Sequence, residues 1–163
     1  YYLARMLYAG EAPAFIARRI MICASEDVSN ADPMAIQVAT SAALAVERLG
    51  MPEARIVLSQ AAAYVASAPK SNSAICAIDD ALSYVREHPA APIPPYLMDA
   101  HYGGAKKLGH GIGYMYAHDY PDHYAHQRYL PVELGDTTFY HPGDLGQEAV
   151  QKAFLARIKH KES

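Results

Sequence analysis

Histidine is the side chain that first suggests chemistry in this sequence. Five of the eight histidines fall between His101 and His126, and His118-Asp119 is followed by His123 and His126. Imidazoles beside a carboxylate are the donors that a zinc site or a two-metal hydrolase uses. The spacing does not complete such a site. His123 and His126 stand three apart in a stretch holding Pro121, no HExxH occurs, and no CxxC supports a structural zinc. The simpler expectation is that His118-Asp119 orients a loop. Asp119 would accept from a backbone N–H or a tyrosine hydroxyl, and the neighbouring carboxylate would hold one imidazole tautomer in a partly buried setting. A His/Asp metal-dependent hydrolase stays as the enzymatic alternative. Gly109, Gly111 and Gly113 alternate like a phosphate loop, but GxxxxGK[ST] occurs nowhere and no predicted strand precedes them.

Charged residues near helix ends form the second group. Lys70-Ser71-Asn72 follows Pro69 at a helix start. A lysine with hydroxyl and amide donors there can hold a phosphate or a partner's carboxylate, but helix capping by Ser71 or Asn72 is the expectation. Arg18-Arg19 and Glu26-Asp27 lie seven or eight residues apart, two helical turns, and do not pair directly. Glu26 and Asp27 near a helix C-terminus oppose the macrodipole and call for basic partners, in this chain or in a neighbouring subunit. Arg18, Arg19, Glu26, Asp27, Lys70, Asn72, His118 and Asp119 are therefore the candidate interface or structural polar residues. Lys106, Lys107 and Arg128, set among tyrosines, are the candidates for direct DNA contact, with rings stacking on bases and cations meeting phosphates. No Ser/His/Asp or Cys/His nucleophile pattern is visible, so no catalytic, cofactor-binding or metal residue is assigned.

The elements that position these residues are helices. Periodicity predicts a helix over 1–9 stopped by Gly10, and a second over 13–28 with Pro13 in its first turn. Asp32-Pro33 starts a third, which ends at Gly50. It carries Met34, Val38, Ala42, Ala45 and Leu49 on one face, with Gln37, Ser41 and Arg48 as a narrow polar stripe. The four-residue connection 50–53 forces an antiparallel neighbour. That neighbour, 54–68, is apolar nearly all round, which predicts a central helix. A further helix spans 71–87. Pro89, Pro92, Pro94 and Pro95 then force an extended crossing. Residues 96–140 hold eight tyrosines and read as an irregular wrap over the helices. Short helices are expected over 95–100 and 105–108, a flexible loop over 109–113, extended pieces over 114–116 and 137–140, and a last helix over 145–159.

Composition agrees with an all-α architecture. Thirty of the 163 residues are Ala, 52% are apolar, 19% are charged and Trp is absent. Such a composition favours close-packed helices over sheet and excludes a disordered tail. Net charge is −3, and neither half is basic, which argues against a strong non-specific grip on nucleic acid by this chain alone. Cys23 and Cys76 cannot make a disulfide framework and read as buried, reduced thiols of a cytosolic protein. No run reaches the roughly 18 apolar residues of a membrane span. The opening string Tyr1-Tyr2-Leu3-Ala4-Arg5-Met6-Leu7 is helix interior, which reads as a piece of a larger protein.

Several ungapped strings then stand in a familiar order: Leu3-Ala4-Arg5-Met6, Ile16-Ala17-Arg18-Arg19, Ala24-Ser25-Glu26-Asp27-Val28, Ala31-Asp32-Pro33 and Glu47-Arg48-Leu49-Gly50-Met51-Pro52-Glu53. Ala68-Pro69-Lys70-Ser71-Asn72, Gly111-Ile112-Gly113-Tyr114-Met115-Tyr116-Ala117-His118-Asp119 and Tyr129-Leu130-Pro131 follow. Together they resemble the C-terminal region of the RarA/MgsA replication-associated recombination AAA+ ATPases, relatives of clamp-loader subunits and of the Werner helicase-interacting protein. The resemblance implies a clamp-loader-like helical collar that assembles the protein into a homotetramer. Residues 1–89 would form the oligomerisation layer. Residues 90–163, the Tyr/His-rich segment with its terminal helix, would pack on it as one domain. ATP and magnesium would belong to an upstream AAA+ module in cis. The whole protein would act in the bacterial cytoplasm, at the nucleoid, on DNA forks and with single-strand binding protein. The alternative is a direct DNA-contacting module of the same ATPase. Family members commonly read Lys-Gly-Tyr-Lys-Tyr where this chain has Ile112-Gly113-Tyr114-Met115-Tyr116, so two positive charges are missing from a loop that could otherwise grip phosphates.

Overall fold

Proline and glycine punctuate the chain, and the helices fall between them. A computed structural model describes residues 1–98 and 111–159. Helix α1, Tyr2–Tyr8, stops at Gly10. Helix α2, Pro13–Cys23, starts with proline in its first turn, where the missing N–H costs nothing. It passes directly into a π-helical turn, Ala24–Val28, that ends at Ser29 in the left-handed region. Helix α3, Met34–Leu49, is started as its sequence predicts: the Asp32 carboxylate accepts from the Met34 N–H at 3.0 Å, and the Asp32 carbonyl accepts from Ala35 N–H. Helix α4 is Ala54–Ser67, α5 is Ser73–Glu87 and α6 is Gly146–Lys159. Short 3-10 turns occur at Pro95–Leu97, Ala117–Asp119, Pro121–His123 and Val132–Leu134. The fold is all-α, with no strand among the described residues.

The chain divides into two compact units. The first is Tyr1–Asp80 with Phe139–Ala153, and the second is Ala81–Thr138 with Phe154–Ser163. In the first, α2, α3 and α4 pack on one another around Ile16, Ala17, Val46, Ala54 and Leu58. A second cluster, Ala24, Val28, Ala35, Ala39 and Val65, lies where the π turn meets α3 and α4. Alanine along these seams lets the backbones approach closely, and few larger side chains are fully buried. In the second unit Ala125 and Ile158 are buried, and Tyr96 donates from its hydroxyl to the Arg128 carbonyl at 2.8 Å.

Several expectations change, among them the burial of the thiols: Cys23 is half-buried and Cys76 is exposed. The buried face of α3 is Ala35, Ala39, Ala42 and Val46, so Met34 and Leu49, expected on the core stripe, are half exposed. Helix α4 is not surrounded: it buries Ala54, Leu58, Ala61 and Val65 on one stripe and leaves Ile56 at 56% exposure. Residues 114–116 and 137–140 lie outside any helix, and Tyr116 has the extended backbone expected there. Where a helix over 95–100 was expected, the described part, 95–98, holds the 3-10 turn Pro95–Leu97. Residues 99 and 100, the helix expected over 105–108 and the start of the 109–113 loop lie outside the described residues.

Candidate functional site

Four of the sequence-predicted polar residues of the first unit, Arg19, Asp27, Lys70 and Asn72, line a single groove. Leu3 and Met6 of α1, Ile16 and Ile20 of α2, and Ala62, Val65 and Ala66 of α4 line it. Arg19, Cys23, Asp27, Lys70, Ser71 and Asn72 form its polar end, and its volume is about 730 Å³. Residues distant in sequence meet there: the Asp27 carbonyl, in the last turn before the helical run ends at Ser29, accepts from the Ser71 N–H at 2.9 Å. The Cys23 thiol donates to the Asp27 carboxylate at 3.1 Å. Burial pushes the Cys23 thiol up, and the Asp27 carboxylate pushes it further, so this cysteine is a poor nucleophile at neutral pH.

The loop after α4 is a capping device. Lys70 Nζ donates to the carbonyls of Val65, Ala66 and Ala68 at 2.9, 3.1 and 2.6 Å. These are the last carbonyls of α4, and a cation there complements the negative end of the helix dipole. Ser71 Oγ accepts from the Ser73 N–H at 3.2 Å, and the Asn72 carbonyl accepts the first helical bond of α5, from Cys76. Ser71 and Asn72 thus cap the start of α5, as expected, while Lys70 closes the end of α4, a role the sequence reading did not assign to it.

The hydroxyl of Ser71 reaches a residue that sequence reasoning missed. Glu148, in the first turn of α6, is fully buried. Ser71 donates to it at 2.6 Å, Ser73 donates to it as well, Tyr140 donates at 3.0 Å and the Gly143 N–H at 2.9 Å. Burial alone would raise its pKa. The four donors outweigh burial and hold the carboxyl below the usual range, so it is an anion at neutral pH. An acidic residue at a helix start ordinarily reads as a surface complement to the dipole. Nothing local marks this one as buried, because two of its partners lie 75 and 77 positions upstream.

The other candidates stay apart from the groove. Arg18 is exposed and lies over the Phe15 ring at 5.3 Å, and Glu26 is exposed. In the second unit His118 and Asp119 are both exposed on the turn Ala117–Asp119. The His118 ring lies 4.7 Å from that of His123 and 5.1 Å from that of Tyr116. The expected buried His–carboxylate anchor is therefore replaced by exposed ring packing. Among the described residues no three His, Cys, Asp or Glu side chains converge as a metal ion requires. Arg128 turns back on its own chain, donating to the Gly135 carbonyl at 2.7 Å and lying 3.6 Å from Asp136. Lys106 and Lys107 lie outside the described residues.

The family of MgsA AAA+ ATPase C-terminal domains matches residues 1–159. The chain belongs to this family. An uncharacterized AAA domain-containing protein of Mycobacterium tuberculosis is 46% identical over 98% of the chain and 35% of its own length. Replication-associated recombination protein A of Bacillus subtilis is 41% identical over 99% of the chain and 38% of its own length. The ATPase WRNIP1 of Dictyostelium discoideum is 36% identical over 86% of the chain and 16% of its own length. The chain thus spans little more than a third of the bacterial relatives it matches. Among the described residues of this MgsA C-terminal domain, no helix is long and apolar enough to cross a membrane.

Proposed function

We propose that this MgsA C-terminal domain is the assembly module of an AAA+ ATPase that acts in replication-associated recombination, and that it joins copies of the chain into a tetramer. One observation carries the reading: each helix of the α2–α4 layer buries a single stripe, yet large apolar side chains remain outside it. Leu44, Leu49 and Ile56 are more than half exposed. Apolar surface of that extent on a helical layer is characteristic of stable subunit interfaces. The polar groups Lys70, on carbonyls, and Glu148, among hydroxyls, are engaged in holding helix ends.

In this reading ATP and magnesium belong to the remainder of the protein, as the family's description as AAA+ ATPases suggests. DNA forks and single-strand binding protein are partners of that whole protein, in the cytoplasm at the nucleoid. Arg128, engaged by the Gly135 carbonyl and Asp136, argues against a direct DNA contact through that side chain. The test is light scattering of the chain at tens of micromolar. A mass four times that of the chain is expected. A monomer at that concentration would overturn the reading.

A further inference from the structure

Apolar side chains hold the helical layer together, but a carboxylate holds the segment that lies on it. Helices α3 and α4 each bury four apolar residues. Residues 139–153, part of the same compact unit, bury one side chain, Glu148. From Ala68 to Asp80, across the start of α5, Ser73 alone is buried. These two buried residues are bonded to each other, the Ser73 hydroxyl donating to the Glu148 carboxylate. Ser71 donates to the same carboxylate at 2.6 Å, and the Asn30 amide donates to the Tyr140 hydroxyl at 3.4 Å. Within the segment, Lys152 pairs with Asp144 at 2.7 Å, the Tyr140 hydroxyl reaches Gln151 at 3.3 Å, and Tyr140 and the Gly143 N–H donate to Glu148. The segment thus carries bonds of its own.

We propose that residues 139–153 form a strap that opens from the α2–α4 layer as one piece, without unfolding the layer, and that Glu148 is the latch that keeps it closed. Segments with few buried apolar contacts are the ones that open below the free energy of global unfolding. The strap fits that description, and the layer does not. The chemistry of the latch makes the opening all-or-none. Apolar contact is non-directional and is lost in proportion to the area uncovered. A buried carboxylate must be either surrounded by its donors or hydrated, and a half-open strap would leave the charge short of both. The closed and the open strap are therefore the two favoured arrangements. Opening also reaches the groove among α1, α2 and α4. Ser71 lines the polar end of that groove and donates its N–H to the Asp27 carbonyl, so releasing Glu148 unties the hydroxyl of a groove residue.

The experiment is amide hydrogen exchange, resolved by peptide, at a series of urea concentrations below the unfolding transition. The proteins are wild type, Glu148→Gln, Tyr140→Phe and Val46→Ala. In wild type the amides of 148–153 should exchange faster than those of α3 and α4, at a rate that urea barely changes, because a local opening exposes little surface. Glu148→Gln should speed them by about tenfold or more. Tyr140→Phe removes one donor, should speed them less, and serves as the test where Glu148→Gln does not fold. Val46 lies in the buried cluster around Leu58, and Val46→Ala weakens the layer whether the strap is open or closed. It should speed exchange in α3 and α4 and leave 148–153 at the wild-type rate. If 148–153 follows the urea dependence of α3 and α4, or is accelerated by Val46→Ala as much as they are, strap and layer are one cooperative unit and the proposal is overturned. An unchanged rate in Glu148→Gln, or in Tyr140→Phe where Glu148→Gln does not fold, would remove Glu148 as the latch.

Discussion

Glu148 draws together the turn before α5, the 139–145 segment and the start of α6. Its carboxylate is held below the ordinary range, so its contribution to stability is fully present above the unfolded value of about 4.3 and is lost as pH falls through the lower folded value. Glu148→Gln removes the charge and turns an amide N–H₂ toward a hydroxyl that needs an acceptor. The variant should lose about 1.5–3 kcal/mol near neutral pH, measured by urea unfolding. The gap between the two proteins should narrow as pH drops below about 4; a gap unchanged to about pH 3 would show that the charge is not what the four donors recognise. His118 is the opposite case. The sequence offered it as a buried anchor, but its ring is exposed against Tyr116 and His123. His118→Ala should therefore change unfolding free energy by less than about 0.5 kcal/mol. A dipeptide of chemically suggestive residues was legible in sequence. Its exposure was not, since burial depends on which distant elements cover it.

At the scale of elements, starts and stops were the most readable features, because caps act within a few residues of themselves. Asp32-Pro33, Pro13, Gly10 and Ser71-Asn72 each perform the local role their chemistry predicts. Helix faces were harder. Ala and Val occur all round α3, and periodicity alone picked the stripe with the larger side chains, Met34 and Leu49. The core instead takes the alanine stripe, since close packing of α2, α3 and α4 leaves no room for more. Ala39→Leu should accordingly destabilise by about 1–3 kcal/mol, through overpacking at a position that is 1% exposed. The π turn was also invisible beforehand, as no residue signature demands the extra residue. Gly146 shows a third limit. It sits at φ +56 at the start of α6, where a Cβ would run into the Ala31 carbonyl and the Pro69 ring. Gly146→Ala should lower stability by at least the 1–3 kcal/mol typical of backbone strain alone, visible as a fall in melting temperature.

For the molecule as a whole, composition and the ordered strings were enough to place the chain among MgsA C-terminal domains, a placement the family match over residues 1–159 shows. Neither indicated which surface is left over once the core is complete, because that is the remainder after every helix has chosen its neighbours. The remainder here includes the large apolar side chains Leu44, Leu49 and Ile56, exposed outside the buried stripes of α3 and α4. The account's central claim is that this domain exists to join copies of itself, and light scattering of the wild-type chain at tens of micromolar tests it most directly. The prediction is a mass four times that of the chain; a wild-type mass of one chain, about 17.8 kDa, would contradict the account.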